Sequence, residues 1–379
     1  MRNNSSDSPL VVISHLRWDW VWQRPQHLVS RLASDRPVFY VEEPVATPTC
    51  PAPRIVSQPA GPVVRVWLEV PGTGTVLFGA DRAGSYATLL STWLEERQQT
   101  RCDVWLYTPM ALEIAEALGP ELLVYDVMDD LASFKGAPTG LQLLQRRLLE
   151  RADVVFTGGR SLHRGVVSRR PHGTYLFPSG VETQHYAQSR GLRTEHDIPV
   201  AGYVGVIDER LDLDLVAAVA DELPDWEIRL AGPVTKIDES SLPQRPNILY
   251  LGMQPYELLP EVMAGFDVAL MPFALNEATR AISPTKTLEY LAAGLPVVST
   301  RVPDVVADFG ALVHLVDTGP ELAEACRHVL THSGDARDRK AAPTQQRHEW
   351  DTIAAEMAQI LTTWREPQAN ESQRPEESA

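Results

Sequence analysis

One alternation, met twice along 379 residues, restricts the folds open to this chain: a short β-branched run, then a stretch with apolar residues at helical spacing. In the first half Val11-Val12-Ile13 precedes residues 25–33, and Val38-Phe39-Tyr40-Val41 follows. Val104-Trp105-Leu106-Tyr107 precedes residues 110–118, Leu122-Leu123-Val124-Tyr125-Asp126 precedes 141–151, and Val154-Val155-Phe156 precedes 161–168. Runs that are apolar throughout, separated by helices, make a parallel sheet covered on both faces. The alternation pauses at Phe177-Pro178-Ser179-Gly180 and in the polar stretch 182–199, where turn formers and charges collect. It resumes with Ala201-Gly202-Tyr203-Val204-Gly205, then residues 211–222, 226–231, 248–251, 256–264, 266–271, 284–293 and 296–299. The fold class is therefore α/β, with two Rossmann-like doubly wound domains facing across a cleft. The expected divisions are 1–185, 186–340, a helical segment 341–364 and a polar, disordered tail 365–379. Ligands of such sheets sit beyond the carboxyl ends of the strands, which puts the site in the cleft.

Composition narrows the function classes. A formal charge of -16 argues against nucleic acid as a partner, because backbone phosphates call for a basic surface. Cys50, Cys102 and Cys326 lie far apart with no C-x-x-C pair, so neither a disulfide framework nor a cysteine zinc site is expected. The polar first nine residues lead into an apolar segment too short for a signal peptide, and no apolar run approaches the roughly 18 to 20 residues that span a bilayer. The expected location is the cytoplasm, with peripheral contact to the inner face of the membrane as an addition.

The most informative window is residues 273–298. Ser283 suits an N-cap, Pro284 the first helical position, and Gly294 and Pro296 end the helix. Free backbone N–H groups near Ser283, Thr285 and Lys286 then point into the loop at a strand end, where the helix terminus and the lysine favour a diphosphate. Glu289 shares a helix face with Lys286 and is placed to accept hydrogen bonds from a ribose. On the residues alone, a capped helix with a surface ion pair stands equally beside this reading.

The pattern Pro-x-Lys-x-x-Glu-Tyr-x-Ala-x-Gly-x-Pro-Val-Val in this window resembles the donor-binding signature of GT-B glycosyltransferases, particularly retaining enzymes of the family 4 type. Residues 177–182 resemble the segment that ends the N-terminal domain of that family. Residues 203–210 resemble the glycine loop that opens its C-terminal domain, Leu249-Tyr250-Leu251-Gly252 a strand near the base, and His348-Glu349-Trp350-Asp351 the start of a final helix that crosses back to the N-terminal domain. The resemblance implies an acceptor-binding N-terminal domain and a donor-binding C-terminal one. It implies that Gly205 lets the backbone approach the phosphates, that Arg210 and Lys286 neutralise the diphosphate, and that Glu289 binds the ribose. Gly252 and Met253 would lie near the base, and Lys236 is a further phosphate candidate. Ala281 stands where the family usually has an acidic residue. Either Glu277 supplies that role from a longer loop, with Asn276 and Arg280 beside it, or the role is absent.

The loop after the first strand, residues 14–28, carries three tryptophans with Arg17 and Arg24 where glycines are common in the family. Aromatic faces suit sugar rings and arginine suits phosphate or carboxylate, so Trp18, Asp19 and Arg24 are expected to bind the acceptor. Asp126, at a strand end facing the cleft, and His27 are the catalytic candidates beside Glu277, with His15 on the same grounds. Asp212-Leu213-Asp214 reads as the first turn of a helix rather than a metal site, and Asp126, Asp129 and Asp130 lack the P-loop motif that would accompany magnesium. No metal and no cofactor is expected; a UDP-, GDP- or dTDP-type sugar is the co-substrate. The acceptor is a glycan, a lipid-linked or a small molecule, in cell-envelope polysaccharide, glycolipid or secondary-metabolite glycosylation. Arginines between 146 and 170 form either a solvated helix face or a contact for an anionic membrane. Two other readings remain open: a sugar-nucleotide 2-epimerase of the same fold, and a nucleotide-binding partner without catalysis.

Overall fold

The computed structural model describes residues 8–365 except 82–83, 135–136, 194–196, 284 and 333–334, with backbone course alone at 332 and 335–340. The disordered-tail expectation for 365–379 therefore lies, past Arg365, outside the described residues, as does the placement of Pro284.

Two sheets organise the chain. The first contains β1 (Leu10–Ser14), β2 (Val38–Glu42), β3 (Val45–Thr47), β4 (Arg54–Ala60), β5 (Val63–Pro71), β6 (Asp103–Leu106), β7 (Leu123–Val127), β8 (Val154–Thr157) and β9 (Thr174–Leu176). Its order is β3-β5-β2-β1-β6-β7-β8-β9, with β4 antiparallel on β5 and the other pairings parallel. The second contains β10 (Val200–Val204), β11 (Glu227–Ala231), β12 (Ile248–Gly252), β13 (Val268–Met271), β14 (Val297–Thr300) and β15 (His314–Val316), all parallel in the order β12-β11-β10-β13-β14-β15. In both, the order reverses beside the first strand of the domain, β1 or β10, and the crevice opens there. Central strands such as LVVIS and VALM are buried along their whole length, which is why they read as unbroken apolar runs.

Three stretches differ from the sequence expectation. Residues 45–71 form strands that the alternation did not announce: β4 is largely exposed and carries Ser57, Gln58 and Pro59, and it is held by pairing with β5. The polar stretch between the sheets folds into two short helices, Thr183–Ala187 and Ser189–Leu192, anchored by Tyr186 in the second core. The helical segment expected over 341–364 is split between Asp335–Arg347 and Trp350–Arg365, because the backbone at 348–350 pairs with Val181 instead. Trp350, Ile353, Ala354, Met357, Ile360 and Leu361 of the last helix pack with Leu10, Val12 and Leu28 of the N-terminal half. Among the described residues no helix is long and apolar enough to cross a membrane.

Candidate active site

The helix Thr285–Ala292 is fixed to the end of β10 by Tyr290, whose hydroxyl accepts from Val204 N–H at 2.8 Å inside the core. That anchor turns Lys286 and Glu289 toward the cleft, where Nζ and Oε2 lie 3.1 Å apart. The strand ends beside them are stripped of side chains. A Cβ on Gly205 would come 2.6 Å from Tyr203 Oη and 3.1 Å from Lys286 Cε, and one on Gly232 would meet the Gly205 carbonyl oxygen at 1.9 Å. Backbone can approach a ligand there only because both residues are glycine.

Arg210 lies along the same wall, held by Asp208 through Nε–Oδ1 at 2.9 Å and Nη2–Oδ2 at 2.8 Å. Burial works against its charge, but the Asp208 hydrogen bonds and charge outweigh it and raise the guanidinium pKa. Phe134, from the N-terminal domain, sits against both Arg210 (5.6 Å from ring centroid to Cζ) and Lys236 (4.4 Å to Nζ). Lys236 is thus spent on an aromatic face and lines neither of the two cavities described below.

From the N-terminal side, Arg24 opens the helix Arg24–Leu32 and is buried, with 3% of its surface exposed. Its Nε donates to both oxygens of Asp126 at 2.9 and 3.1 Å and its Nη1 to Phe177 O at 2.8 Å, while Nη2 finds no partner among the described residues. Asp126 is fully enclosed and lines neither cavity, so it does not face the cleft as expected. Its carboxylate holds Arg24, which does reach the cavity wall. The two are 102 residues apart, and that pairing is what the sequence hid.

His27 lines the same cavity. Its Nδ1 accepts from Trp22 Nε1 at 3.1 Å, and its ring stacks on Trp350 at 5.0 Å. Burial first, then Arg31, His185 and Lys286, push its pKa well below the usual histidine value. The ring is therefore neutral near pH 7, and with Nδ1 accepting, its proton resides on Nε2.

Two cavities share this cleft. The inner one, about 120 Å³, is lined by Arg24, His27, Asp129, Arg210, Ser283 and Thr285. The outer one, about 580 Å³, is lined by residues 18–22, Tyr186, Met253, Gln254 and Tyr256. Lys286, Glu289 and Gly205 line both from the C-terminal side, as do Val21 and Trp22 from the N-terminal side, and together they form the wall between them. Gly252 makes the left-handed turn, φ +66°, that delivers Met253. Ser283 also accepts from Ser179 N–H at 3.4 Å across the cleft.

Several expectations need correction. Glu277 has 69% of its side chain exposed, pairs with Arg280 at 3.0 Å and lines neither cavity. In this arrangement it stands away from the cleft, and Ala281 packs against the N-terminal core. Trp18 is sealed in that domain's interior, edge-on to Tyr40 at 5.0 Å, so its ring is not free to serve as a platform. Asp19 is exposed and paired with Arg65. Both line the outer cavity, with Met253, rather than a separate acceptor groove. Asp212 caps the helix Leu213–Glu222 by accepting from Leu215 N–H at 2.9 Å, as its first-turn position indicates.

Asp129, which the sequence offers only as a weak metal ligand, lines the inner cavity. Its pKa is raised, by burial first and then by Asp208 and Asp130, against the lowering pull of Arg210 and Lys236. Tyr256, which the sequence marks only as the start of segment 256–264, stacks on Trp22 at 5.6 Å and donates to Glu182. Its only sequence signal was an aromatic residue following a glycine turn at a strand's carboxyl end.

Residues 198–332 match the family described as Glycosyl transferases group 1. Over 258 residues the chain is 27% identical to the putative teichuronic acid biosynthesis glycosyltransferase TuaH of Bacillus subtilis (strain 168), covering 62% of this chain and 65% of that protein's length. Among solved structures, the sucrose-phosphate synthase of Thermosynechococcus elongatus superposes with a TM-score of 0.69 at 15% identity, over 94% of this chain and 98% of that one. An E. coli trehalose-6-phosphate structure bound with UDP-2-fluoro glucose gives 0.67 at 12%, over 95% and 99%. Anabaena HepE in complex with UDP and glucose gives 0.66 at 15%, over 94% and 100%. These identities speak to the fold. Two α/β domains with a site wall built at their facing strand ends have the GT-B fold of these solved structures. The match to the glycosyl transferases group 1 family covers residues 198–332, within the second of those domains.

Proposed function

We propose that this chain transfers a sugar from a nucleotide-diphosphate donor to an acceptor held by the N-terminal domain, residues 1–185, with the donor on residues 186–340. The observation that carries the reading is the shared wall: Lys286 and Glu289, 3.1 Å apart, separate a small inner cavity from a larger outer one. The diphosphate lies on that wall, with Lys286, Arg210 and the amino end of the helix Thr285–Ala292 around it. Glu289 accepts from the ribose hydroxyls, the nucleoside fills the outer cavity, and the transferred sugar enters the inner one.

As the bond from the anomeric carbon to the diphosphate oxygen breaks, negative charge grows on the leaving group. Fixed positive groups in a cavity shielded from water stabilise that charge, and this supports transfer without a metal. His27, neutral with its proton on Nε2, is suited to donate to a sugar hydroxyl, and Arg24 to receive an acceptor or sugar oxygen. Retention at the anomeric carbon rests on the resemblance to family 4. UDP is the first donor to test because two of the structurally similar proteins were solved with UDP or a UDP-sugar. The Bacillus relative's name favours cell-envelope polysaccharide over glycolipid or secondary metabolite as the product.

Membrane contact through the 146–170 region is a further part of the reading. A groove there is lined by Arg146, Arg169 and Arg170, while Arg147 and Arg151 are paired with Glu116. Sedimentation with anionic vesicles at low salt tests it, and no co-sedimentation removes it.

The central test is a thermal-shift panel of UDP-, GDP- and dTDP-sugars, since a ligand bound only by the folded state raises the apparent midpoint. One nucleotide class should raise it, and nucleotide release should depend on added acceptor. If no nucleotide sugar shifts the midpoint, the donor assignment is wrong; release without any acceptor would favour the epimerase reading.

A further inference from the structure

The outer cavity has an unusual roof. Its floor is C-terminal, from Gly232, Met253 and Gln254, but its opposite side is the tryptophan loop of the N-terminal domain, residues 18–22. That loop is not slack. Trp18 N–H donates to Glu42 Oε1 at 2.8 Å, and Gln26 Nε2 donates to Trp18 O at 3.2 Å and Val21 O at 3.3 Å. The faces of two of its rings are committed: Trp18 packs edge-on with Trp22 and Tyr40, and Trp22 stacks across the domain boundary on Tyr256. Trp20 is different. It lines the cavity and remains 45% exposed, in a loop whose backbone is held on both sides of it. Keeping an indole half in water at the wall of a large cavity forgoes burial that a ligand's flat face would supply.

We infer that residues 18–22 form an N-terminal lid on the nucleoside end of the donor site, with Trp20 as the aromatic face on which the base rests. This rests on the donor reading above and deepens it, moving the tryptophan loop from acceptor to donor. A donor site completed by the opposite domain has a consequence: the nucleoside binds well only when the domains are together, and the Trp22–Tyr256 stack holds that arrangement.

Titration calorimetry of the full chain with UDP, GDP, dTDP and inorganic pyrophosphate tests the inference. Base–aromatic stacking is strong enough that Trp20→Ala should weaken the preferred nucleoside diphosphate about tenfold. Trp20→Phe should retain most of the affinity, and pyrophosphate, which has no base, should bind both variants as it binds the unaltered protein. Trp20 is half exposed, so an unchanged thermal midpoint should accompany the loss. Unaltered nucleotide affinity in Trp20→Ala overturns the lid, as does an equal loss for pyrophosphate. If the unaltered protein binds none of the nucleoside diphosphates, the donor reading falls and takes the lid with it.

Discussion

Lys286 Nζ and Glu289 Oε2 lie 3.1 Å apart across one helical turn, and the glutamate is the more buried partner, with 8% of its side chain exposed against 25% for the lysine. A carboxylate so enclosed faces a cavity on either side, between Lys286 and the Tyr186 hydroxyl. Glu289→Ala removes up to two hydrogen bonds to a charged acceptor, each about 1.5–3 kcal/mol. Nucleoside diphosphate affinity should fall about tenfold or more, since about 1.4 kcal/mol is a factor of ten. Pyrophosphate affinity, measured by the same calorimetry, should hold or rise, because Lys286 is released from its partner. A nucleotide affinity that does not change would refute the ribose role.

Arg24 and Asp126 behave as a unit. Both are buried, and removing one partner strands a charge in the interior, a change that typically destabilises by about 3–5 kcal/mol. Asp126→Ala should therefore lower the denaturation midpoint sharply. Arg24→Met with Asp126→Leu should recover much of the stability while transfer activity remains lost, because the apolar pair keeps the packing but not the guanidinium at the cavity wall. Chemical denaturation alongside turnover separates the two effects. Recovery of activity in the double variant would show that Arg24 is purely structural.

Glu277 makes the opposite case. It is exposed, its ion pair with Arg280 is at the surface, and surface substitutions away from special features usually stay within about 0.5 kcal/mol. Glu277→Gln should leave kcat and donor KM within about twofold. A large fall in kcat would mean that the loop moves into the cleft during turnover and that the acidic role survives in this chain.

What the sequence made legible was local. Residues 283–296 advertise a helix by its stop signals, and helical spacing alone puts Lys286 and Glu289 on one face, as found in the helix Thr285–Ala292. The two sheets were readable because their central strands are apolar throughout. What escaped depends on partners distant in the chain. Nothing near Asp126 says that Arg24 will seal it, nothing near Trp22 announces Tyr256, and the break at His348 exists because Val181 pairs there. The tryptophan loop stands out by composition, yet which cavity it faces is decided by how the two domains meet.

Two buried histidines, His15 and His27, carry a pH dependence. Burial first, then Lys236, lowers the His15 pKa to about 4, and burial with Arg31, His185 and Lys286 holds His27 well below 6.5. In the unfolded chain both titrate near 6.5. Between about pH 6.5 and 4 the unfolded state therefore binds protons that the folded state refuses. Unfolding takes up protons, so stability is fully present above 6.5 and is lost as pH falls. The thermal midpoint should drop across that window, and the drop should be shallower in His15→Asn/His27→Gln. Because the double variant loses the His27–Trp350 stack, its midpoint at pH 7 will be lower, and the slope against pH is the quantity to compare. An identical slope in both proteins would mean that neither histidine is held neutral by the fold, and the reading of His27 as a neutral donor on Nε2 would go with it.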